Sequence, residues 1–120
     1  MQKRYRLTDN RQFQLVRKNG RSWIHRLVVL GALPNGLAIT RFGFSTSRKL
    51  NRAVDRNRAR RLLREAARSL QPRIAPGWDI VLVARENMGD LHCQVLLAAI
   101  EKVMRQARLL AGGPAAGAKP

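Results

Sequence analysis

The sequence predicts one α/β (α+β) domain in which helices pack in layers on a β-sheet. Hydrophobic spacing indicates helices and strands in the order α-β-β-α-β-α, which is typical of layered folds. The 120 residues suffice for one hydrophobic core, and a hydrophobic content of 45% is ordinary for a globular protein. We therefore predict a single domain over residues 1–113 and a flexible C-terminal tail over residues 114–120.

Three helices are predicted from capping residues and from apolar residues that recur at helical spacing. The first is capped by Thr8 or Asp9 and ends at Gly20. The second runs over residues 52–70, where alanines and leucines form one apolar stripe. The third runs over residues 90–110, with an aspartate cap at its first residue.

Three strands are clear from the pattern. Residues 22–33 are rich in apolar and β-branched side chains and predict a strand with a bulge near Gly31. A turn signal at 34–36 predicts that a second strand over 37–46 pairs with the first as a hairpin. Residues 78–84 are apolar on both alternations, which predicts a central strand covered on both faces.

Basic residues dominate the composition and are unevenly distributed. The chain has 24 Lys and Arg against 7 Asp and Glu, a formal net charge of +17. Residues 41–73 hold eleven of these bases and only two acids, whereas residues 74–120 hold five bases and four acids. Because repulsion among so many cations opposes folding, we expect a polyanionic partner.

One face of the second predicted helix is almost wholly basic. Arg56, Arg60, Arg64 and Arg68 recur at i, i+4, a spacing at which like charges destabilise an isolated helix by about 0.2–0.5 kcal/mol per pair. Solvated charged faces usually mix both signs, and this one does not. A helix lying on a membrane surface is disfavoured because the apolar stripe lacks Trp and Phe. The pattern favours binding to nucleic acid.

The residues offer little for catalysis by the polypeptide itself. The only histidines are His25 and His92, and His92 and Cys93 are adjacent, so on a helix their side chains would point about 100° apart. A single cysteine excludes an internal disulfide and a multi-cysteine metal site, and we expect its thiol to face the core. We predict no catalytic residue, no metal site and no firmly bound cofactor.

Membrane and export signals are not evident. No apolar run approaches the 18–20 residues of a membrane span, and the N-terminus has no apolar signal region. The sequence therefore predicts a cytoplasmic protein with no membrane partner.

Two segments resemble the signature of the bacterial ribonuclease P protein family. Residues 44–49 read FSTSRK and residues 53–65 read AVDRNRARRLLRE, against a family pattern of S-x-S-[KR]-K followed by A-V-x-R-N-x-x-[KR]-R. Residues 6–8 resemble the start of the family's opening helix, and residues 79–85 resemble its last strand. The resemblance covers about residues 4–110, nearly the whole chain.

The resemblance implies both a fold and a function. The fold is a sandwich of about three helices around a four-stranded mixed sheet, with a left-handed βαβ crossover. The pattern of residues 22–46 does not resolve the fourth strand of this sheet. The function is that of the protein subunit of a ribonucleoprotein endonuclease that removes the 5′ leader from precursor tRNA. The RNA subunit carries out the hydrolysis with Mg²⁺, and no further protein partner is required.

The resemblance also implies two sets of binding residues. The residues matching the motif that contacts the catalytic RNA are Arg48, Lys49, Arg52, Arg56, Asn57, Arg58, Arg60, Arg61, Arg64 and Arg68. The residues matching the leader site are Phe13, Arg17, Val29, Gly31, Ser45, Arg56 and Asn57. Arg17 stands where the family often has a second aromatic, which implies a leader site that is more electrostatic than usual.

Two other functions remain open from the sequence. A structural RNA-binding protein of the ribosome shares a basic α/β architecture, although it would lack the two-part motif. A DNA-binding regulator could use residues 53–69 as a recognition helix, but that arrangement expects a preceding helix and short turn where this sequence predicts a strand.

Overall fold

The computed structural model describes residues 2–86 and 93–110. The predicted tail and the cap predicted at residue 90 lie outside the described residues. The helices are Asn10–Asn19 (α1), Ala53–Leu70 (α2) and Cys93–Gln106 (α3), and the strands are Arg21–Ile24 (β1), Val28–Pro34 (β2), Arg41–Thr46 (β3) and Trp78–Ala84 (β4). Short 3₁₀ turns occupy Lys3–Tyr5 and Gln71–Arg73.

The strands form one mixed four-stranded sheet in the order β1-β2-β4-β3. The β1–β2 and β2–β4 pairs are antiparallel, and the β3–β4 pair is parallel, with α2 in the connection between its strands. Helix α1 packs on one face of the sheet, and α2 and α3 pack on the other. The predicted α+β sandwich with four strands and three helices is confirmed, and the left-handedness of the crossover stays a prediction.

The single strand predicted over 22–33 is wrong, because the chain reverses in its middle. His25 Nδ1 accepts a hydrogen bond of 3.0 Å from the Leu27 amide, and the His25 amide donates to the Val28 carbonyl. This turn separates β1 from β2 and supplies the missing fourth strand. The predicted bulge is also wrong, since Gly31 lies in regular register between Ser22 and Val81.

The predicted hairpin that joins residues 22–33 to residues 37–46 is wrong as well. Strand β4 lies between β2 and β3, so the turn at 34–36 passes the end of β4 and does not join two neighbouring strands. Local chemistry still forms the turn: Gly36 has a φ of 71°, and Asn35 Oδ1 accepts the Leu37 amide at 2.8 Å. The Asn35 amide donates to the Gly77 carbonyl, which ties the turn to the chain entering β4.

The two faces of the sheet carry different cores. On the α2 and α3 side, Phe42, Leu63 and Ile100 belong to the larger hydrophobic cluster. On the α1 side, a smaller cluster contains Leu7, Val16 and Val81, with Phe13 packed against it. The predicted central strand is confirmed, since β4 contributes buried residues to both clusters.

The last helix ends earlier than predicted. Arg108 has a φ of 60°, and the Leu109 amide donates to the Met104 carbonyl, so the chain leaves the helix before Leu110. At the other end Cys93 is exposed, and the prediction of a core-facing thiol is therefore wrong. Position 93 has the helical spacing of Leu96 and Ile100, but it is the first residue of α3, and burial of that face begins only at Leu96.

Candidate nucleic-acid interface

A cleft of about 490 Å³ lies between α1 and the end of the sheet from which β3 and β4 exit. Its floor is a single cross-strand row, in which Val29 of β2, Val83 of β4 and Ser45 of β3 are aligned in register. The lining residues are Phe13, Arg17, Val29, Ser45, Thr46, Ser47, Arg48, Val81, Val83 and Arg85.

The rim of this cleft is cationic. Arg17 comes from α1, Arg48 from the loop after β3, and Arg85 from the end of β4. Arg85 is held in place because its amide donates to the Leu27 carbonyl at 3.0 Å and its Nη1 donates to the His25 carbonyl at 2.9 Å. Among the described residues no acidic side chain lines the cleft. An apolar floor under a positive rim suits a flexible chain that carries both phosphates and bases.

Phe13 is positioned by the start of its helix and by the strand beneath it. The predicted capping box is confirmed: Asp9 Oδ1 accepts the Arg11 amide at 2.9 Å, and Gln12 Oε1 accepts the Asp9 amide. The hydrogen bond from the Arg11 amide lowers the pKa of Asp9 below its usual value. The Phe13 ring then lies directly over Gly43, where a Cβ atom would be only 2.6 Å from Cζ of the ring.

The loop that joins the cleft to α2 is fixed by its own hydrogen bonds. The Ser47 amide donates to the Ala84 carbonyl at 2.8 Å, and the Leu50 side chain is buried in the core. Arg56 Nη1 reaches back to donate to the carbonyls of Leu50 and Asn51, at 3.1 and 2.7 Å. The loop thereby presents three exposed cations, Arg48, Lys49 and Arg52.

Helix α2 presents the basic face that the sequence predicts. Arg60 Nη2 donates to Asn57 Oδ1 at 2.7 Å, and the Arg64 guanidinium lies over the Phe44 ring at 6.0 Å from its centroid. The Arg64 Nε atom is buried with no hydrogen-bond partner among the described residues. The side chains exposed on this helix include Asn57, Arg58, Arg61 and Arg68, while Arg56, Arg60 and Arg64 are half-buried.

Four of the seven residues predicted for the leader site line the cleft: Phe13, Arg17, Val29 and Ser45. Gly31 is buried beneath α1, since a Cβ atom there would be 3.2 Å from Val16 Cγ1. Arg56 and Asn57 lie on α2 and are not among the lining residues.

Several residues that line the cleft were not predicted from the sequence as leader contacts. Val81 and Val83 share a face with Ser45, and the alternation along the last strand would have identified them once β3 was known to be its neighbour. Arg85 follows β4 directly, and its position in the cleft depends on the turn between β1 and β2, which the sequence did not reveal.

Neither a membrane-spanning helix nor a cluster of metal-ligating side chains is found in the described part of the chain. No helix among the described residues is long and apolar enough to cross a membrane. Across residues 2–86 and 93–110, no group of three or more His, Cys, Asp or Glu side chains is arranged to hold a metal ion.

Comparison with known proteins identifies relatives of the whole chain. The ribonuclease P protein component of Roseiflexus castenholzii is 41% identical over 113 residues, which cover 93% of this chain and 93% of that protein. The corresponding protein of Symbiobacterium thermophilum is 42% identical over 111 residues, covering 92% of this chain and 96% of that protein.

Solved structures agree with these relatives. A Staphylococcus aureus RNase P protein mutant with defective mRNA degradation activity superposes with a TM-score of 0.80 at 31% identity, covering 90% of this chain and 92% of that one. The RNase P protein of Thermotoga maritima superposes with a TM-score of 0.76 at 27% identity, covering 84% and 96%. The sequence model of the ribonuclease P family matches residues 1–108. Sequence and fold thus agree over nearly the whole length, and the chain belongs to the ribonuclease P protein family.

Proposed function

We propose that the chain is the subunit that binds the catalytic RNA of ribonuclease P together with the 5′ leader of precursor tRNA, and so promotes removal of the leader. The observation that carries this proposal is the continuity of two surfaces. Arg48 lines the cleft, and the fixed loop that contains it leads directly into the basic face of α2. One protein could therefore contact a structured RNA and an unpaired strand at the same time.

The cleft has the chemistry of a single-strand site. A base stacked on the Phe13 ring would contribute about 1–3 kcal/mol, and the valine floor would exclude water beneath it. Arg17, Arg48 and Arg85 would pair with successive phosphates, as guanidinium groups do in bidentate geometry. Contacts of this kind favour a leader of any sequence over mature tRNA, which has no leader.

The basic loop and α2 would bind the catalytic RNA. Their cations come from consecutive helical turns, so several phosphates can be neutralised at once. The RNA subunit would carry out the hydrolysis with its own Mg²⁺, while the protein supplies binding and orientation. We place this complex in the bacterial cytoplasm, with no further protein partner required.

Reconstitution tests the proposal directly. Purified protein is added to a cognate bacterial ribonuclease P RNA at low Mg²⁺ with labelled precursor tRNA. We expect leader cleavage only when protein and RNA are both present. The cations of the protein neutralise RNA phosphates, and the RNA therefore needs less Mg²⁺. Tight RNA binding without any stimulation of cleavage would instead indicate a ribosomal or general RNA-binding protein.

A further inference from the structure

The N-terminal segment is attached to the outer edge of the sheet. Arg6 forms a parallel bridge with Phe42 of β3, and the Leu7 amide donates to the Phe42 carbonyl at 2.7 Å. The Leu7 side chain is buried in the smaller core. The 3₁₀ turn Lys3–Tyr5 is therefore held beside β3, and Tyr5 has a defined position on the surface.

A groove separates this turn from the end of α2. It has a volume of about 560 Å³ and is lined by Gln2, Tyr5, Arg68 and Gln71. Tyr5 also lines a smaller hollow of about 170 Å³, whose other walls include Ile39. The half-buried Tyr5 side chain thus borders two open spaces, a hollow with several apolar lining residues and a polar groove.

The chemistry of the groove is that of an aromatic ring among cations. The Arg4 guanidinium lies over the Tyr5 ring, 4.6 Å from its centroid, and donates to the Tyr5 hydroxyl. Arg68 is exposed on the opposite wall, and no acidic side chain of the described residues lines the groove. An aromatic ring with guanidinium groups nearby is the combination that binds an unpaired base and its phosphate.

The groove continues the basic face of α2. Arg56, Arg60, Arg64 and Arg68 follow one another at intervals of four residues, about 6 Å along the helix axis, and Arg68 is the last of them. Tyr5 in the groove is next to Arg6, which bridges to Phe42 near the start of β3, whereas the cleft is lined by residues at the end of β3. An RNA strand that follows α2 from Arg56 would reach Arg68 and Tyr5 at the end of the helix remote from the cleft.

We infer that Tyr5 and Arg68 form a nucleotide subsite for the catalytic RNA at the far end of the α2 arginine row. Tyr5 stacks on an unpaired base, and Arg68 pairs with the phosphate of the same nucleotide. This assignment rests on the proposed function, because it takes the catalytic RNA as the molecule that binds α2. It adds a base contact to a surface whose other contacts are to phosphates.

Two substitutions at Tyr5 test the stacking contact in the full chain. Tyr5→Leu keeps an apolar side chain against the hollow but has no ring, and we expect the Kd for a cognate ribonuclease P RNA to rise about tenfold. Tyr5→Phe keeps the ring, and its Kd should stay within about twofold of the wild type. Thermal unfolding of both variants establishes that the fold is intact.

Salt titrations separate the two members of the subsite. Arg68→Gln should reduce the slope of log K against log salt by about one, whereas Tyr5→Leu should lower affinity without changing the slope. The double variant should lose less than the product of the single effects, because both side chains act on one nucleotide.

Four results would overturn the inference. An RNA affinity of Tyr5→Leu equal to that of the wild type would exclude the stacking contact, and so would a loss of affinity in Tyr5→Phe as large as that in Tyr5→Leu. In both cases the tight RNA binding of the wild type would leave the proposed function standing. A loss in Tyr5→Leu confined to precursor tRNA, with RNA affinity unchanged, would assign the groove to the leader. Failure of the wild-type chain to bind the ribonuclease P RNA would overturn the proposed function as well.

Discussion

Phe13 owes its position over the sheet to a glycine on a different element. The ring occupies the space that a side chain at position 43 would fill, and it forms one wall of the cleft. The sequence identified Phe13 from its place in the family motif and on the first helix. It could not identify Gly43, because the contact depends on how α1 crosses β3, and nothing in the local pattern of either element encodes that crossing.

Replacement of Phe13 tests the leader contact. Phe13→Ala should weaken binding of precursor tRNA by the holoenzyme about 5- to 20-fold and leave mature tRNA unaffected, since only the precursor supplies a base to stack on the ring. The measurement is the Kd of each tRNA for the reconstituted holoenzyme. Leu15→Ala, an exposed change on the same helix outside the cleft lining, is the matched control. Equal losses for both tRNAs would remove Phe13 from the leader site.

Gly43→Ala should displace the ring without removing it. The new Cβ atom would lie 2.6 Å from Phe13 Cζ, so the ring must move outward into the cleft. Because the ring is only half-buried, we expect a cost of about 1 kcal/mol in unfolding free energy together with the loss of precursor selectivity. In a Phe13→Ala background the same change should have little further effect on either quantity. An additive double variant would show that Gly43 acts independently of the ring.

The positions of the helices and strands were largely predictable, whereas the pairing of the strands in the sheet was not. Capping residues and the 3.6-residue period located α1 and α2 to within one or two residues, because both signals are local. The turn between β1 and β2 was missed because it contains no Gly, Pro, Asn or Asp and is flanked on both sides by apolar residues. The position of β4 between β2 and β3 follows from long-range pairing, which a strand pattern alone does not specify.

One ion pair joins the starts of the parallel strands β3 and β4. Arg41 Nε and Nη2 donate to the two carboxylate oxygens of Asp79 at 2.9 and 2.8 Å, and the Asn35 side chain donates to the same carboxylate at 2.9 Å. The hydrogen bond from Arg41 to Asp79 raises the pKa of Arg41 above its usual value. A raised pKa of a base means that its stabilisation is present below the unfolded value and is lost only in strong alkali. This contribution of Arg41 is therefore constant near neutral pH.

Asp79→Asn should destabilise the fold by about 2–4 kcal/mol, because it leaves the largely buried Arg41 without its counterion. Urea unfolding at neutral pH measures the change. Glu101→Gln removes the more exposed pairs to Arg73 and Arg105 and serves as the comparison, with an expected loss below about 1 kcal/mol. Similar losses in the two variants would mean that the Arg41–Asp79 pair has no special role in joining β3 to β4.

Over the whole molecule, the uneven charge of the sequence becomes a surface. Residues 41–73 form β3, the fixed loop and α2, so the most basic part of the chain is also continuous in space. Residues 74–110 supply the central strand and α3, which complete the core and carry few unbalanced charges. This division was predictable because the net charge of each segment follows directly from its residues. The sequence could not predict that the loop bridges the basic face to a cleft on the opposite face of the sheet.

Salt dependence tests whether this surface, and not total charge, binds the RNA. Neutralising five to eight phosphates should give log K a slope of roughly −4 to −7 against log salt. Arg60→Gln with Arg64→Gln should weaken binding to the ribonuclease P RNA and reduce the steepness of that slope by about two, because both side chains lie in the α2 row. Lys102→Gln with Arg105→Gln removes the same charge from α3 and should leave the slope unchanged. If both pairs reduced the slope equally, net charge alone would account for binding, and a nearly flat wild-type curve would contradict the electrostatic mechanism altogether.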